Sequence, residues 1–204
     1  MIKKHAFVYL AAAVWLTSGA PMAFGADKKI VGKKVMLRTP VLSADQNRFL
    51  YISNDPSIIF GGTADSDTPS LHGASLVVFN PTSGECQCIQ MPASNWEVGE
   101  DGRRYAYHDP GTVDGPIKLV QIRDGKLKVT GKGNKLTGIT LDETTQGTIA
   151  MNFRSGNSAT KLCSTFSGLS VRVDRVTAFI GTDSPPGGAC DVEPAGCLPC
   201  DPIP

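Results

Sequence analysis

Six cysteines carry the most specific chemistry in this sequence: Cys86, Cys88, Cys163, Cys190, Cys197 and Cys200. Cys197 and Cys200 have the C-x-x-C spacing that occurs in redox active sites and in half of a zinc site. A redox motif normally begins a helix, and no helical pattern follows Cys200. A zinc site needs a second ligand pair, and the C-x-C spacing of Cys86 and Cys88 is a poor match for one. We therefore interpret all six cysteines as structural disulfides.

The pairing of these cysteines is only partly constrained by their spacing, because six thiols permit fifteen pairings. Cys86 and Cys88 are two residues apart in a predicted strand, which places them on one face with their Cα atoms about 6.5–7 Å apart. That distance is at or beyond the limit for a disulfide, so each should bond to a different partner. Cys163, in a predicted strand, and Cys190, after a Pro-Pro-Gly-Gly turn, are predicted to pair with each other. That bond would stabilise the fold by on the order of 3 kcal/mol.

Closely spaced carboxylates form a second group that could do chemistry. Asp65 and Asp67 lie in a glycine-rich loop, and Asp55 precedes Asp65 by ten residues. Carboxylates on a loop can bind Ca²⁺, which prefers six to eight oxygen ligands. The EF-hand pattern is absent, and Asp and Ser are ordinary turn residues, so we favour solvated turn residues. We predict no cofactor, with Ca²⁺ at these three residues as the alternative; Asp142 and Glu143 form a similar, less specific pair.

The histidines and serines do not form a recognisable catalytic motif. Two histidines follow the N-terminal segment, His72 and His108, and Ser70 and Ser75 lie close to the first of them in sequence. The G-x-S-x-G nucleophile motif is absent. A carboxylate pair for glycoside hydrolysis could be drawn from any of the 19 acidic residues. We therefore predict no catalytic residue.

Aromatic residues are concentrated in one region, at Trp96, Tyr105 and Tyr107, with Arg103 and Arg104 beside them. Many β-proteins hold sugar rings by stacking them on exposed Trp and Tyr rings that are bordered by polar groups. These three aromatic residues are the predicted ligand-binding site. The competing interpretation, which we favour, is that Trp96 belongs to the core, since a single tryptophan in a β-domain is usually mostly buried.

The elements that must position these residues are predicted to be short β-strands. Apolar and β-branched residues come in runs of four to eight, separated by Gly, Pro, Asn, Asp and Ser. The clearest hairpin spans residues 117–129 around the turn Asp124-Gly125. In its second strand Leu127 lies on one face while Lys126 and Lys128 face water. The hairpin predicts antiparallel pairing of its two strands.

The rest of the sequence extends this pattern. A second predicted hairpin runs from Thr148 to Cys163, and 14 prolines and 22 glycines argue against long helices. About ten short antiparallel strands predict an all-β fold, either a sandwich or a partly closed barrel. Residues 73–79 resemble residues 147–153, which would suit two related half-domains. Chance recurrence of a common strand pattern explains the similarity equally well.

The N-terminus has the pattern of a secretory signal peptide. Lys3 and Lys4 precede an apolar run over residues 6–16, which is too short to span a bilayer, and the small residues of Ala23-Phe24-Gly25 suit signal peptidase. We predict a signal peptide at residues 1–25 and therefore secretion, to a periplasm or to the extracellular space. Export to an oxidising compartment makes disulfides the expected state of the cysteines.

The remaining 179 residues divide into a predicted β-domain at residues 26–182 and an arm at residues 183–204. The arm holds six prolines and three cysteines with few large apolar side chains, so it is predicted to be extended and held by disulfides. The mature chain would carry 18 basic and 19 acidic residues, which argues against nucleic-acid binding. No second apolar run approaches membrane length, so no membrane span is predicted in the mature chain.

Four segments carry a resemblance to known proteins. They are H-G-A-S-L-V-V-F-N from His72, P-A-S-N-W from Pro92, D-G-K-L-K-V from Asp124 and L-C-S-T-F-S-G from Leu162. In this order they resemble segments of a group of secreted, β-rich bacterial proteins of unknown function, over roughly residues 30–190. The resemblance implies export and a β fold, and it brings no catalytic residues.

Three functions are compatible with these observations. The first is a secreted or surface-associated binding module without enzymatic activity, whose ligand is a carbohydrate or another protein, such as a cell-surface protein. The second is a secreted hydrolase that uses acidic residues or a histidine. The third is a structural or assembly subunit of the cell envelope.

Overall fold

Thirteen β-strands build the part of the chain that the computed structural model describes, residues 27–40, 43–60, 66–157, 160–197 and 199–202. One short α-helix, α1 (Pro69–His72), and four 3-10 turns connect some of them. In these residues no helix is long and apolar enough to cross a membrane. The strands are β1 (Lys28–Lys29), β2 (Gly32–Arg38), β3 (Arg48–Ser53), β4 (Ala74–Phe79), β5 (Cys86–Met91), β6 (Trp96–Val98), β7 (Tyr105–His108), β8 (Ile117–Arg123), β9 (Lys126–Lys132), β10 (Thr148–Ser155), β11 (Leu162–Ser167), β12 (Val171–Arg175) and β13 (Ala178–Thr182).

The strands form two open sheets that face each other. The smaller sheet has the order β1-β11-β10-β4-β5, and the larger sheet has the order β12-β13-β2-β3-β9-β8-β7-β6. Neighbouring strands are antiparallel except β1 and β11, which are parallel. The all-β prediction is confirmed, and of the two architectures considered the sandwich is the one that the strands adopt.

Both predicted hairpins are present. β8 and β9 meet at Asp124-Gly125, where Gly125 has a φ of +75° and Asp124 has no positive φ. A primed turn requires a positive φ at its first central residue, so this tight turn is not of the primed type. Leu127 is fully buried while Lys126 and Lys128 are half-exposed, as the alternation predicts. β10 and β11 form the second hairpin. The two similar segments, residues 73–79 and 147–153, contain β4 and most of β10, which pair antiparallel with each other; their origin as half-domains stays a prediction.

One hydrophobic core lies between the sheets, and Phe166 of β11 is its most constrained contact. Its ring packs across Gly32 of β2 and Gly181 of β13 on the opposite sheet. A Cβ on Gly32 would lie 2.4 Å from Phe166 Cζ, and one on Gly181 would lie 2.6 Å from Phe166 Cδ1. Such distances are too short for carbon atoms that are not bonded to each other, so only glycine at these two positions allows the sheets to approach this closely.

A buried polar chain also joins the sheets. The Tyr51 hydroxyl of β3 lies 2.7 Å from Ser164 Oγ of β11, and Ser164 Oγ lies 2.9 Å from the Ile30 carbonyl oxygen. Because Ser164 uses its one proton toward Ile30, Tyr51 must be the donor to Ser164. These two hydrogen bonds therefore require Tyr51 to be neutral.

The C-terminal arm covers the outer face of the smaller sheet. Val77, Phe79 and Ala150 point to that face and are buried with Cys197 and Cys200 in a second, smaller hydrophobic cluster. The arm's backbone also accepts hydrogen bonds from the sheet, for example from Ser75 Oγ to the Cys200 carbonyl at 2.9 Å. Three disulfides hold the arm: Cys86–Cys197, Cys88–Cys200 and Cys163–Cys190.

The disulfides confirm two predictions from the sequence. Cys163 pairs with Cys190, and Cys86 and Cys88 of one strand bond to different partners. The C-x-x-C pair is explained by the same arrangement, because its two cysteines bond to the two cysteines of β5. Since all six cysteines are bonded, none of them is a thiolate for zinc or for redox chemistry.

Removal of the arm's two bonds to β5 tests the role of the arm as a cover. We expect replacement of Cys86, Cys88, Cys197 and Cys200 by serine to release the arm, expose Phe79 and lower the free energy of unfolding by up to about 5 kcal/mol. Replacement of Cys88 and Cys200 alone should cost less, since the Cys86–Cys197 bond closes almost the same loop. Chemical denaturation and limited proteolysis measure both effects. An arm that resists protease in the four-serine variant would contradict this assignment.

Alkaline titration tests the buried tyrosine. Burial raises the pKa of Tyr51 to about 12, against side-chain hydrogen bonds with Ser164 and Ser53 that lower it. In the unfolded chain tyrosine ionises near pH 10, so the unfolded state loses its proton first and stability falls as the pH rises from about 10 to 12. The loss of stability from this group is about 2 kcal/mol at pH 12. Tyr51→Phe should flatten this part of the stability–pH curve, and an unchanged slope would show that Tyr51 does not titrate in this way.

Candidate binding face

The three aromatic residues predicted to bind a ligand lie in the core. Trp96, Tyr105 and Tyr107 are 6 %, 2 % and 1 % exposed. Trp96 and Tyr107 are directly opposite each other on β6 and β7, with ring centroids 5.4 Å apart, and Trp96 Nε1 donates to the Met91 carbonyl at 3.3 Å. Burial, the largest cause, raises the pKa of Tyr107. These rings present no open face on which a sugar could stack, in line with the core interpretation.

The predicted acidic site is only partly described. Asp55 is 8 % exposed, and its carboxylate accepts hydrogen bonds from the backbone N–H groups of Val31 at 2.7 Å and Ser57 at 2.8 Å. Burial alone would raise the pKa of Asp55, but these hydrogen bonds and the charge of Lys28 outweigh it and lower the pKa. Asp55 thus holds its own loop together.

The other two predicted ligands add little to this picture. Asp65 lies outside the described residues. Asp67 is described, and its backbone carbonyl accepts a hydrogen bond from Ser155 Oγ at 2.6 Å. Ca²⁺ binding at these three positions therefore stays a prediction.

A different set of carboxylates comes together in the described part of the chain. Glu85, Asp142 and Glu143 each offer an oxygen within 4.8 Å of the others, and these are the residues that could hold a metal ion. Glu85 Oε1 and Asp142 Oδ1 both accept hydrogen bonds from Thr140, while Glu85 Oε2 is buried without a hydrogen-bond partner. With one oxygen from each carboxylate, the cluster supplies three of the six to eight oxygens that Ca²⁺ prefers. Sequence reasoning found the Asp142-Glu143 pair but missed Glu85, because it belongs to a distant turn.

The histidines and serines considered for catalysis are used elsewhere. Ser75 donates to the arm, as described above. His72 Nδ1 lies 3.1 Å from Asn157 Nδ2, and the exposed His108 Nε2 lies 4.0 Å from Glu97 on the larger sheet. Neither histidine forms a described hydrogen bond to a serine, and the absence of a catalytic residue stays a prediction.

The outer face of the larger sheet is different, because cations occupy it in rows. Along β9 the outward residues are Lys126, Lys128, Thr130 and Lys132, at spacings of about 6.8 Å. On the adjacent strands, about 4.8 Å away, Arg48 of β3 lies opposite Lys132 and Arg123 of β8 lies opposite Lys126. Strand β2, on the far side of β3, adds Lys34 and Arg38. We call the following set the basic face: Lys34, Arg38, Arg48, Arg123, Lys126, Lys128 and Lys132.

No described carboxylate forms an ion pair with any residue of the basic face. The four strands that carry it, β2, β3, β8 and β9, contain no Asp or Glu. A chain that is nearly neutral as a whole therefore concentrates positive charge on one surface. Such a surface attracts anions and raises their local concentration.

A row of aliphatic side chains crosses the basic face. Opposed positions on successive strands are Ile180, Met36, Leu50, Thr130 and Leu119, and Ile52 lies in the neighbouring row. All of them are half-buried, so the face is apolar along its centre and cationic on both sides. We call the following set the apolar stripe: Met36, Leu50, Ile52, Leu119 and Ile180.

Two depressions extend the basic face at one end of the strands. One, of about 410 Å³, is lined by Gln121, Arg123 and Lys126 together with Glu97 and Arg104. The second, of about 610 Å³, shares Arg104, Arg123 and Lys126. Arg104 forms an exposed ion pair with Asp101, which is a weak interaction in water. The second depression is also lined by Asp101 and Asp124, so the two depressions carry acidic as well as basic side chains.

Comparison of the chain with protein-family models, with curated proteins and with solved structures gave no match in any of the three cases. The resemblance to secreted, β-rich bacterial proteins therefore stays a prediction.

Proposed function

We propose that this chain is a secreted or surface-associated binding module that holds an anionic ligand on its basic face. The observation that carries the proposal is the set of seven cations on one sheet face, none of which has an acidic partner among the described residues. The protein acts by binding and not by catalysis.

The difference between the two outer faces of the sandwich supports the basic face as the binding surface. The arm and its disulfides occupy the outer face of the smaller sheet. The outer face of the larger sheet carries half-exposed and exposed side chains. A ligand of any size therefore has one broad sheet face available, and that face is cationic.

The disulfides support the location. Three bonds in a chain of 204 residues suit an oxidising compartment, because cytosolic reductants keep thiols reduced. The predicted signal peptide at residues 1–25 lies outside the described residues. Export and disulfide formation together are consistent with a module that works outside the cytoplasm.

Charge reversal at a matched pair of lysines tests the proposal. Lys128 on β9 belongs to the basic face, whereas Lys29 on β1 belongs to the smaller sheet; both are half-buried strand lysines without an ion pair. We expect Lys128→Glu to weaken binding of poly-L-glutamate about tenfold at low ionic strength, because it replaces an attractive charge by a repulsive one. Lys29→Glu should leave the affinity unchanged.

Fluorescence anisotropy with labelled polymer measures both affinities, and added salt should weaken the wild-type complex. Equal losses in the two variants would show that net charge, and not the basic face, is responsible. Failure of the wild-type protein to bind any polyanion would contradict the proposal.

A further inference from the structure

We infer that the natural ligand is a protein whose contact surface is apolar at its centre and acidic at its margin. The inference rests on the proposed function and names the ligand class. Its basis is the apolar stripe, which lies between the cations of the basic face. Protein interfaces have this organisation, with an apolar centre surrounded by a polar rim.

A carbohydrate ligand fits this surface less well. Sugar sites in β-proteins use aromatic rings as stacking platforms, and Trp96, Tyr105 and Tyr107 point into the core instead. The outward positions of the described strands of the larger sheet carry aliphatic, polar and charged side chains and no Phe, Tyr or Trp. Binding a polyanionic sugar would leave the apolar stripe without a complementary surface.

A lipid surface and a second copy of the chain also fit less well. The members of the apolar stripe are half-buried between longer cationic side chains, so they do not project far enough to enter acyl chains. A symmetric dimer through this face would bring the same patch of both copies together. Seven cations would then oppose seven cations, which costs free energy unless anions intervene.

The dimensions of the face suit a protein partner. The eight strands of the larger sheet at about 4.8 Å and rows of outward residues along about 20 Å of β9 give a whole outer face of roughly 34 Å by 20 Å. The basic face and the apolar stripe occupy five of these strands, β13, β2, β3, β9 and β8. One side of a standard protein–protein interface has about 800 Å² of buried surface. In flat projection the whole outer face, roughly 680 Å², is comparable with one side of such an interface, and the fold presents it without rearrangement.

Acidic polymers with and without aliphatic side chains separate these ligand classes. The probes are poly-L-glutamate, a random copolymer of L-glutamate and L-leucine, polygalacturonate, and vesicles containing an anionic phospholipid. We expect the copolymer to bind the mature protein about tenfold more tightly than poly-L-glutamate, because leucine side chains cover the apolar stripe. Polygalacturonate and vesicles should show no such gain.

A matched pair of leucines links the gain to the apolar stripe. Leu50→Ser on β3 should abolish the tenfold gain and leave poly-L-glutamate binding unchanged, since the cations stay in place. Leu71→Ser is the control, because Leu71 is 51 % exposed on α1 and lies outside the face. If Leu50→Ser lowers the melting temperature strongly, Leu119→Ser on β8 serves the same purpose.

Each outcome decides the inference. Equal affinity for the copolymer and poly-L-glutamate overturns it and leaves the proposed function standing, whereas absence of binding to every polyanion removes both. Tighter binding of polygalacturonate or of vesicles than of the copolymer assigns the face to those ligands and overturns the inference. Self-association of the wild-type protein that Lys128→Glu abolishes, measured by sedimentation, overturns it in favour of a second copy.

Discussion

Attachment of the C-terminal arm to one sheet is the constraint on which the rest of this structure depends. The arm gives the outer face of the smaller sheet the character of a second core, and Val77 and Phe79 are buried there although they point away from the first core. A buried carboxylate strengthens the contact between the arm and the smaller sheet. Glu193 is 6 % exposed and accepts a hydrogen bond from Asn152 at 2.7 Å. Its carboxylate also lies 3.8 Å from both Arg154 and Lys161. A buried charge of this kind is tolerated only with its partners in place, so the arm has one well-defined position.

The larger sheet shows what strand alternation does when nothing covers the outer side. Inward residues such as Leu127 and Val129 are fully buried against the smaller sheet. The residues between them are cations whose mutual repulsion is moderated by water and salt. Rigid strands hold these charges at fixed spacings, and the closely packed contact of Phe166 with Gly32 and Gly181 keeps the sheets together beneath them. The same pleat therefore supplies both the core and the proposed binding surface.

Local signals in the sequence predicted the local structure. Asp124-Gly125 identified the β8–β9 hairpin because the turn chemistry is specific, and the separation of Cys86 from Cys88 excluded a bond between them. The basic face could not be predicted in the same way. Lys128 reads as a solvated strand residue, and only the pairing of β9 with β3, which is distant in sequence, places it opposite Ile52 and on the same face as Leu50 and Arg48. Non-local register decides which surface residues act together, and a single sequence does not encode it in any short pattern.

Clustering of the aromatic residues along the chain offered a ligand site, and their burial agrees with the competing interpretation that they belong to the core. Period-two alternation of Tyr105 and Tyr107 places both rings on one side of β7, and the structure shows that this side faces the core. Sequence could establish that the rings share a face, but not which face is buried. The same ambiguity affected the acidic residues, since Glu85 joins Asp142 and Glu143 only through folding.

Methionine oxidation tests most directly whether the outer face of the larger sheet is the binding surface. Met36 lies half-buried in the apolar stripe, whereas Met91 and Met151 are 0 % and 1 % exposed in the core. Peroxide treatment followed by mass spectrometry of the peptides should give Met36 sulfoxide first, and the bound copolymer of glutamate and leucine should slow that reaction selectively. Bound copolymer that leaves the rate of Met36 oxidation unchanged would show that the ligand contacts another surface and would contradict this account.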